Sequence, residues 1–344
     1  MSISGLGPHG ERAAPADQLA LSEAGAQTAR FRRFSVALVI HTTQSDWSRQ
    51  NIAGIVTSLG RYSAALVEIV DCAFDVDRQL AALERLAKDN TIDAVISIPI
   101  GNAGVANAHM GLAKAGKTLV LLDNAPIGML PRTDYASVVS ADNFGLGKIA
   151  AELLAPHIPP QGMVGVLGYG VDFFATHERE LAFQKWFATY RQDVRIERAK
   201  FVQPERAGAT VTSIVEQYPD VSGIFCVWDV PAMAAVEQLR KQGLSLPMTT
   251  VDLGHEVAEE MARGGMIRGI AAQQPYDQGS AAAIATLCAL TGQKPPPWMA
   301  MAGLPVTAEN VVEAFQVVWH APATPGLIAS RGGNERKITP EGSL

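Results

Sequence analysis

Two aspartates that follow short apolar runs are the clearest candidates for binding chemistry in this sequence. Asp123 ends the run that begins at Thr118, and Asp252 ends the run that begins at Met248. A carboxylate offers two oxygens that accept hydrogen bonds, so each aspartate could bind hydroxyl groups of a small molecule. Each could instead cap the loop that follows it, which is a common role of aspartate. Because the pattern occurs twice, we favour the binding role.

Other polar and aromatic residues complement these carboxylates. An arginine supplies a rigid fork of donors, an amide both donates and accepts, and an aromatic ring can cover a C–H face. This mixture suits a polyhydroxylated compound. The sequence offers Arg179, Gln273, Asn124 and Asp142 for polar contacts, and Trp47, Trp228, Phe173 and Phe174 for aromatic ones.

The elements that must position these residues form one unit that occurs twice. In each half, an apolar run, a helical segment closed by a glycine (Gly116 or Gly243) and a second apolar run follow one another. Alternating strands and helices indicate an α/β fold with parallel sheets. Ligands of such sheets bind outside the carboxyl ends of the strands. Two sheets that face each other would therefore aim Asp123 and Asp252 into a shared cleft.

The predicted strands divide into two series, with a break near residue 140. They are expected at residues 34–40, 66–71, 94–98, 119–122 and 137–140 in the first series, and at 163–167, 195–201, 224–227, 249–251 and 267–272 in the second, with a final strand at 298–302. Amphipathic helical segments separate them, as in residues 75–88. The pattern predicts two Rossmann-like lobes.

Composition and charge exclude several classes of protein. The chain of 344 residues has a net charge of −6, so a nucleic-acid partner is disfavoured. No apolar run approaches the roughly 18 residues that span a bilayer, so direct membrane insertion is not expected. The three cysteines, Cys72, Cys226 and Cys288, lie far apart in apolar settings, which predicts buried thiols and no disulfide or zinc site.

Catalytic motifs are missing from the sequence. It contains no G-x-S-x-G, H-E-x-x-H, Walker A or G-x-G-x-x-G pattern. His177, beside Glu178 and Arg179, could be catalytic, but the start of a helix that recognises a ligand is the favoured interpretation. We therefore expect no enzyme activity, no cofactor and no metal ion.

The first 33 residues are rich in glycine, alanine, proline and serine. They lack an apolar segment preceded by basic residues, so no secretory signal peptide is visible. A short helix could form at residues 18–30, and the segment is otherwise expected to be flexible or loosely docked. It is too short and too poorly patterned for a helix-turn-helix domain.

Seven motifs occur in an order that resembles a known family. They are residues 45–48 (SDWS), 122–124 (LDN), 140–143 (SADN), 176–179 (THER), 228–229 (WD), 251–252 (VD) and 272–275 (AQQP). Together they resemble the type I periplasmic sugar-binding proteins, the ribose-binding-like solute receptors of ABC importers. The resemblance runs from about Phe34 to Trp319.

This resemblance implies two lobes joined by a three-segment hinge that close on a monosaccharide or polyol. The N-terminal lobe would comprise residues 34–140 plus about 270–297. The C-terminal lobe would comprise residues 141–269 plus about 298–325. Residues 1–33 would form an extension, and residues 330–344 a disordered tail.

The resemblance also implies residue roles. Trp47 matches the stacking aromatic of the first loop, Asp123 the acid of the first lobe, and Arg179 the arginine at the start of a second-lobe helix. Asp252 and Gln273 match the second-lobe acid and the hinge-side glutamine. Plainer roles remain open: an exposed salt bridge for Arg179, a place in the core for Trp47, and a helix cap for Asp142.

Three departures from the ribose-binding pattern affect the expected specificity. Trp228 stands where a hydrogen-bonding asparagine is usual, Phe173 and Phe174 where small or polar residues are common, and Asn124 where an arginine often follows the acid. A ligand with fewer polar contacts fits this set, such as another pentose, a deoxy sugar or a linear polyol.

The function implied by the resemblance is a monomeric, periplasmic receptor that delivers its sugar to the permease of an ABC importer. One alternative is a sensor of the same fold that signals to a membrane kinase or chemoreceptor. A cytoplasmic effector domain of a transcription regulator is less favoured, because no DNA-binding head is visible.

Overall fold

The computed structural model describes residues 3–15 and 19–335, the last five of them by backbone alone. The chain divides into two compact units. Among the described residues, unit 1 contains residues 3–15, 19–143, 171–175 and 274–302, and unit 2 contains residues 144–170, 176–273 and 303–335. Each unit is built around one sheet.

Unit 1 contains a parallel sheet of seven strands. In chain order these are β1 Ala14–Pro15, β2 Ser35–Ile40, β3 Ala65–Asp71, β4 Ala94–Ser97, β5 Thr118–Leu122, β6 Ser137–Ala141 and β12 Trp298–Met301. Their spatial order is β1-β12-β6-β5-β4-β2-β3, and all pairs are parallel. Five of the six β2 residues are fully buried, since helices cover both faces of such a sheet.

Unit 2 contains a sheet of six strands. These are β7 Met163–Tyr169, β8 Arg195–Phe201, β9 Val221–Cys226, β10 Met248–Val251, β11 Ile267–Ala272 and β13 Leu304–Val306. Their order is β13-β11-β10-β9-β7-β8, and only β13 runs antiparallel to its neighbour. The two sheets confirm the predicted α/β class.

Helices follow the strands in both units. In unit 1 they are α1 Glu23–Arg32, α2 Asp46–Gly60, α3 Val76–Lys88, α4 Ala103–Lys114 and α10 Pro275–Leu290. Wholly or mainly in unit 2 they are α5 Asn143–Leu154, α6 Phe174–Tyr190, α7 Ala207–Gln217, α8 Asp229–Lys241, α9 His255–Ala262, α11 Val311–Trp319 and α12 Pro325–Glu335.

Helices α2 and α10 of unit 1 pack with their backbones in close approach. A Cβ atom on Gly54 would lie 2.0 Å from the carbonyl oxygen of Tyr276, and one on Gly279 would lie 2.0 Å from the carbonyl oxygen of Asn51. The Ser58 and Ser280 hydroxyls share a 2.7 Å hydrogen bond at the same crossing. Only glycine leaves room for this contact, which fixes α10 across the sheet.

The N-terminal region is more structured than the sequence suggested. Residues 14–15 form β1, which pairs with β12, and Ser22 caps α1 by accepting a hydrogen bond from the Gly25 amide at 3.1 Å. The Ser22 amide donates to the side-chain oxygen Oε1 of Gln293 at 2.9 Å. These contacts dock the described part of the extension on unit 1.

Two boundaries differ from the sequence prediction. Residues 298–302 were assigned to the C-terminal lobe, but β12 pairs with β6 in the sheet of unit 1. This pairing joins distant parts of the chain, so the periodicity of the sequence alone does not reveal it. The predicted disordered tail begins inside α12, and its remainder, residues 336–344, lies outside the described residues.

Among the described residues, no helix has both the length and the apolar character needed to cross a bilayer.

Candidate functional site

In unit 2, Asp252 lies directly after β10 and accepts a hydrogen bond from Gln273, which lies directly after β11. Gln273 Nε2 donates to Asp252 Oδ1 at 2.6 Å, and the Asp252 amide donates to the Ala271 carbonyl at 3.2 Å. Both side chains are buried, 8% exposed for Asp252 and 2% for Gln273. Adjacent parallel strands therefore bring together two residues that lie 21 positions apart in the sequence.

Arg179 completes this polar group from the first turns of α6. Its side chain is buried, and Nη1 donates to the Val227 carbonyl at 3.0 Å. Burial raises the pKa of Asp252, while the positive charge of Arg179 and the hydrogen bond from Gln273 oppose that rise. Buried charges of this kind need partners, so the three residues form one electrostatic unit.

Asp252 adopts a backbone conformation that is unusual for a residue with a side chain. Its φ is +73°, in the left-handed region. Asp tolerates this region better than most residues, but such conformations are found mainly where the surrounding structure holds them and function uses them. The backbone conformation therefore marks the turn after β10 as a candidate functional feature.

Asp123 in unit 1 repeats this geometry. It lies directly after β5, has a φ of +56° and is 4% exposed. Its amide donates to the Val139 carbonyl of the neighbouring strand at 2.9 Å, as the Asp252 amide does in unit 2. The amide of the next side chain, Asn124, donates to the Gly101 carbonyl at 2.7 Å. The two aspartates of the sequence thus occupy equivalent turns, each directly after a strand.

Three aromatic rings occupy the carboxyl ends of neighbouring strands in unit 2. Tyr169 ends β7, Phe201 ends β8, and Trp228 follows β9. The Trp228 ring lies 5.1 Å from that of Tyr169 and 5.2 Å from that of Phe201, both edge to face. Tyr169 and Phe201 are buried, whereas Trp228 is half-buried. Because Val227, the residue before Trp228, receives the Arg179 bond, the indole adjoins the polar group.

Trp47 lies at the start of α2, where Ser45 caps the helix by accepting from the Ser48 amide at 3.1 Å. Its ring is 9% exposed and packs in the core of unit 1, 5.7 Å from the His41 ring. The indole nitrogen is buried without a hydrogen-bond partner. Burial lowers the pKa of His41 to about 4, so this ring is neutral at neutral pH.

Asp142 makes contacts that the sequence did not indicate. Its carboxylate accepts hydrogen bonds from the backbone amides of Ser4 at 2.6 Å and Gly5 at 2.9 Å. The side chain is 2% exposed. Because these bonds anchor the N-terminal extension, the predicted ligand contact of Asp142 is not carried into the proposed site.

The two phenylalanines lie within residues 171–175, which belong to unit 1. Phe173 is partly buried and packs against the same core cluster as Trp47, while Phe174 is half-buried and begins α6. Beside them, Asn102 Nδ2 donates to the exposed Asp172 carboxylate at 2.9 Å. Phe173 thus has a packing role, and a ligand contact by either ring remains a prediction.

Sequence reasoning missed the residues that support the Asp252 turn. The Asp229 carboxylate accepts from the Gly254 amide at 3.1 Å, and the indole N–H of Trp319 donates to the Leu253 carbonyl at 2.9 Å. The Trp-Asp motif pointed to Asp229, but we had interpreted only its tryptophan. Trp319 gave no signal beyond an apolar helix pattern.

Within the described residues, no group of three metal-binding side chains could hold a metal ion. Ser97 Oγ lies 3.0 Å from His109 Nε2, and His109 Nδ1 lies 2.8 Å from the Val105 carbonyl. Both side chains are fully buried, so a substrate cannot reach the hydroxyl. This buried pair therefore has a structural role.

A family model matches most of the chain. Residues 36–294 match the model described as a periplasmic binding protein domain. No curated protein matches the chain.

Several solved structures have a similar fold. One is a carbohydrate transporter solute binding protein from Agrobacterium radiobacter in complex with D-arabinose, with a TM-score of 0.75, 18% identity and coverage of 85% of this chain and 99% of that chain. A second is an ABC transporter solute binding protein from Agrobacterium vitis bound with α-D-tagatopyranose, with a TM-score of 0.75, 20% identity and coverage of 81% and 96%. A third, also from Agrobacterium vitis and with bound allitol, has a TM-score of 0.71, 20% identity and coverage of 82% and 98%.

Proposed function

Because the chain belongs to the periplasmic binding protein family, we propose that it is a solute-binding receptor that captures a monosaccharide or polyol for an ABC importer. The observation that carries the proposal is the buried group of Asp252, Gln273 and Arg179, matched by the Asp123 turn of unit 1. The sugar and polyol ligands of proteins with a similar fold support this ligand class.

The polar group of unit 2 suits neutral hydroxyl compounds. A hydroxyl can donate to Asp252 and accept from Arg179, which satisfies both charges without bringing a new one into a buried site. An anionic ligand would add its charge beside Asp252, whose pKa burial already raises. We therefore assign uncharged sugars or polyols, and not carboxylic acids, as the ligands.

Trp228 adds an apolar contact to this polar group. Its position, fixed by Tyr169 and Phe201, allows the indole to cover C–H groups of a ligand whose hydroxyls meet Asp252. For unit 1, we propose that Asp123 offers a hydrogen-bond acceptor and Trp47 an aromatic ring to the ligand. The ligand would then be a pentose, deoxy sugar or polyol with one apolar face.

The proposed setting follows from the family. We place the protein in the periplasm, where it would deliver its ligand to the permease of an ABC importer, and we expect binding without chemical conversion of the ligand. A receptor needs the ligand to leave unchanged, so the absence of turnover is itself part of the proposal.

A thermal-shift screen tests this function. The sugar panel comprises D-arabinose, D-tagatose, D-fucose, D-ribose and allitol, with L-glutamate and citrate as charged controls. A ligand at 100 times its dissociation constant stabilises the folded protein by about 2.7 kcal/mol. We expect one or two members of the panel to raise the melting temperature by several degrees, and the charged controls to leave it unchanged. No shift with any polyhydroxyl compound, or a shift with the charged controls alone, would refute the proposal.

A further inference from the structure

Helix α11 contacts the turn that carries Asp252, although it lies beyond the residues that match the family model. The helix spans Val311–Trp319, whereas the match ends at residue 294. Its last residue, Trp319, donates its indole N–H to the Leu253 carbonyl at 2.9 Å. The helix thus reaches the backbone of the residue that directly follows Asp252.

Stacked rings fix the direction of this indole. The rings of Phe315 and Trp319, one helical turn apart, are stacked at 4.9 Å with an interplanar angle of 10°. The His255 ring lies edge-on to both, 4.0 Å from Trp319 and 5.2 Å from Phe315. These ring contacts therefore orient the indole N–H toward the Leu253 carbonyl.

The opposite side of the turn is held by Asp229. One carboxylate oxygen, Oδ2, accepts from the Gly254 amide at 3.1 Å, and the other, Oδ1, accepts from the Val230 amide at 2.8 Å. Asp229 is 9% exposed, and Leu253 is 4% exposed. Three consecutive residues, Asp252, Leu253 and Gly254, thus each hold a hydrogen bond to a different element.

The turn needs such support because of its backbone conformation. With φ at +73°, Asp252 lies in the left-handed region, where a residue with a side chain pays a conformational cost that surrounding contacts offset. If the Leu253 carbonyl lost its partner, it would be buried without a donor, and the turn would gain by relaxing. The Asp252 carboxylate would then move relative to Gln273 and Arg179.

We propose that Trp319 and Asp229 are positioning residues that hold the Asp252 turn in its ligand-binding conformation. Trp319 acts through the Leu253 carbonyl and Asp229 through the Gly254 amide. The inference rests on the proposed function, because it assigns Asp252 to ligand binding. It makes helix α11 a support of the proposed sugar site that contacts no sugar itself.

The test compares two tryptophans that each donate one indole hydrogen bond. Trp319→Phe keeps a ring against Phe315 and His255 but removes the donor to Leu253. The matched control is Trp298→Phe in unit 1, which removes the 2.8 Å bond from the Trp298 indole to Ser140 Oγ. Calorimetric titration with the tightest-binding member of the sugar panel gives the affinity of each variant, and thermal unfolding gives its stability.

We expect Trp319→Phe to weaken ligand binding about threefold to tenfold, the range that one hydrogen bond contributes. Trp298→Phe should bind the ligand as the wild type does, although its fully buried ring makes it the less stable variant. Equal affinity of Trp319→Phe and the wild type would overturn the inference and leave the proposed function intact. If the wild type bound no member of the panel, the proposed function would fail, and the inference with it.

Hydrogen exchange of the ligand-free protein gives a second readout. In Trp319→Phe, amide exchange should become faster in the peptide that covers residues 252–255 and stay unchanged in strands β7 and β9. Trp298→Phe should leave residues 252–255 unaffected. Wild-type exchange at residues 252–255 in Trp319→Phe would show that the indole does not hold the turn.

Discussion

Lowering the pH should destabilise this protein through one fully buried histidine, His109. The ring has no exposed surface, lies 2.8 Å from the Val105 carbonyl through Nδ1 and 3.0 Å from Ser97 Oγ through Nε2. Burial lowers the pKa of His109 from its ordinary value of 6.5 to about 4. With Nδ1 bearing the proton that the carbonyl accepts, Nε2 accepts from the serine hydroxyl, and the neutral ring satisfies both contacts.

The sign and size of the effect follow from this shift. The unfolded chain binds a proton on His109 below about pH 6.5, while the folded chain resists protonation down to about pH 4. The stabilisation is thus complete above the unfolded pKa and is lost as the pH falls through this window. A difference of about 2.5 pH units corresponds to about 3 kcal/mol in full and about 2 kcal/mol at about pH 5.

Urea-induced unfolding of the wild type and of His109→Gln at several pH values measures the effect. The free energy of unfolding of the wild type should fall by about 2 kcal/mol more than that of the variant between about pH 7.5 and pH 5. Glutamine does not titrate, and His41 and all other groups are common to both proteins, so their contributions cancel in the comparison. Parallel pH profiles for the two proteins would refute the reasoning.

Three further predictions concern packing, the N-terminal extension and specificity. Gly54→Ala should destabilise the fold by about 1–3 kcal/mol, because its Cβ would meet the Tyr276 carbonyl. The control Gly111→Ala, with open space around its Cβ, should stabilise α4 by about 0.5–1 kcal/mol. Equal melting temperatures of the two variants would contradict the close crossing of α2 and α10. Asp142→Asn should make the N-terminal extension more susceptible to limited proteolysis while ligand affinity stays unchanged, and a large loss of affinity would return Asp142 to the binding site. Trp228→Ala should weaken sugar binding about tenfold in calorimetric titration, while circular dichroism shows that the variant remains folded. Unchanged affinity would exclude the stacking role.

The fold could be predicted from the sequence because its signal is repeated and local. Mostly buried parallel strands such as β2 and β5 appear as apolar runs after a single polar residue, and their alternation with helices leaves few other architectures. The edge strands β1 and β13 were missed, being two and three residues long. Strands this short carry no periodicity, and their pairing depends on contacts with distant parts of the chain.

The sequence indicated part of the candidate site. Asp123, Asp252 and Gln273 could be found because each directly follows a predictable strand. The support of Asp252 by Trp319 could not, since 66 residues separate the bonded pair Leu253 and Trp319 and no local pattern links them.

The position of the N-terminal extension shows the same limit. Its bonds to the Asp142 carboxylate come from backbone amides, which every residue except proline possesses. No pattern of side chains in the sequence could therefore predict these hydrogen bonds. The Asp142 carboxylate, a ligand candidate in the sequence, accepts hydrogen bonds from the amides of Ser4 and Gly5.

The central claim of the proposed function is that Asp123 and Asp252 each contribute to ligand affinity. Calorimetric titration of the tightest-binding panel member into the wild type, Asp123→Asn and Asp252→Asn tests it most directly. We predict one ligand per chain for the wild type and a loss of affinity of about tenfold or more in each variant, as expected when a charged hydrogen-bond acceptor is replaced. Wild-type affinity in either variant, with the fold intact by circular dichroism, would contradict the claim.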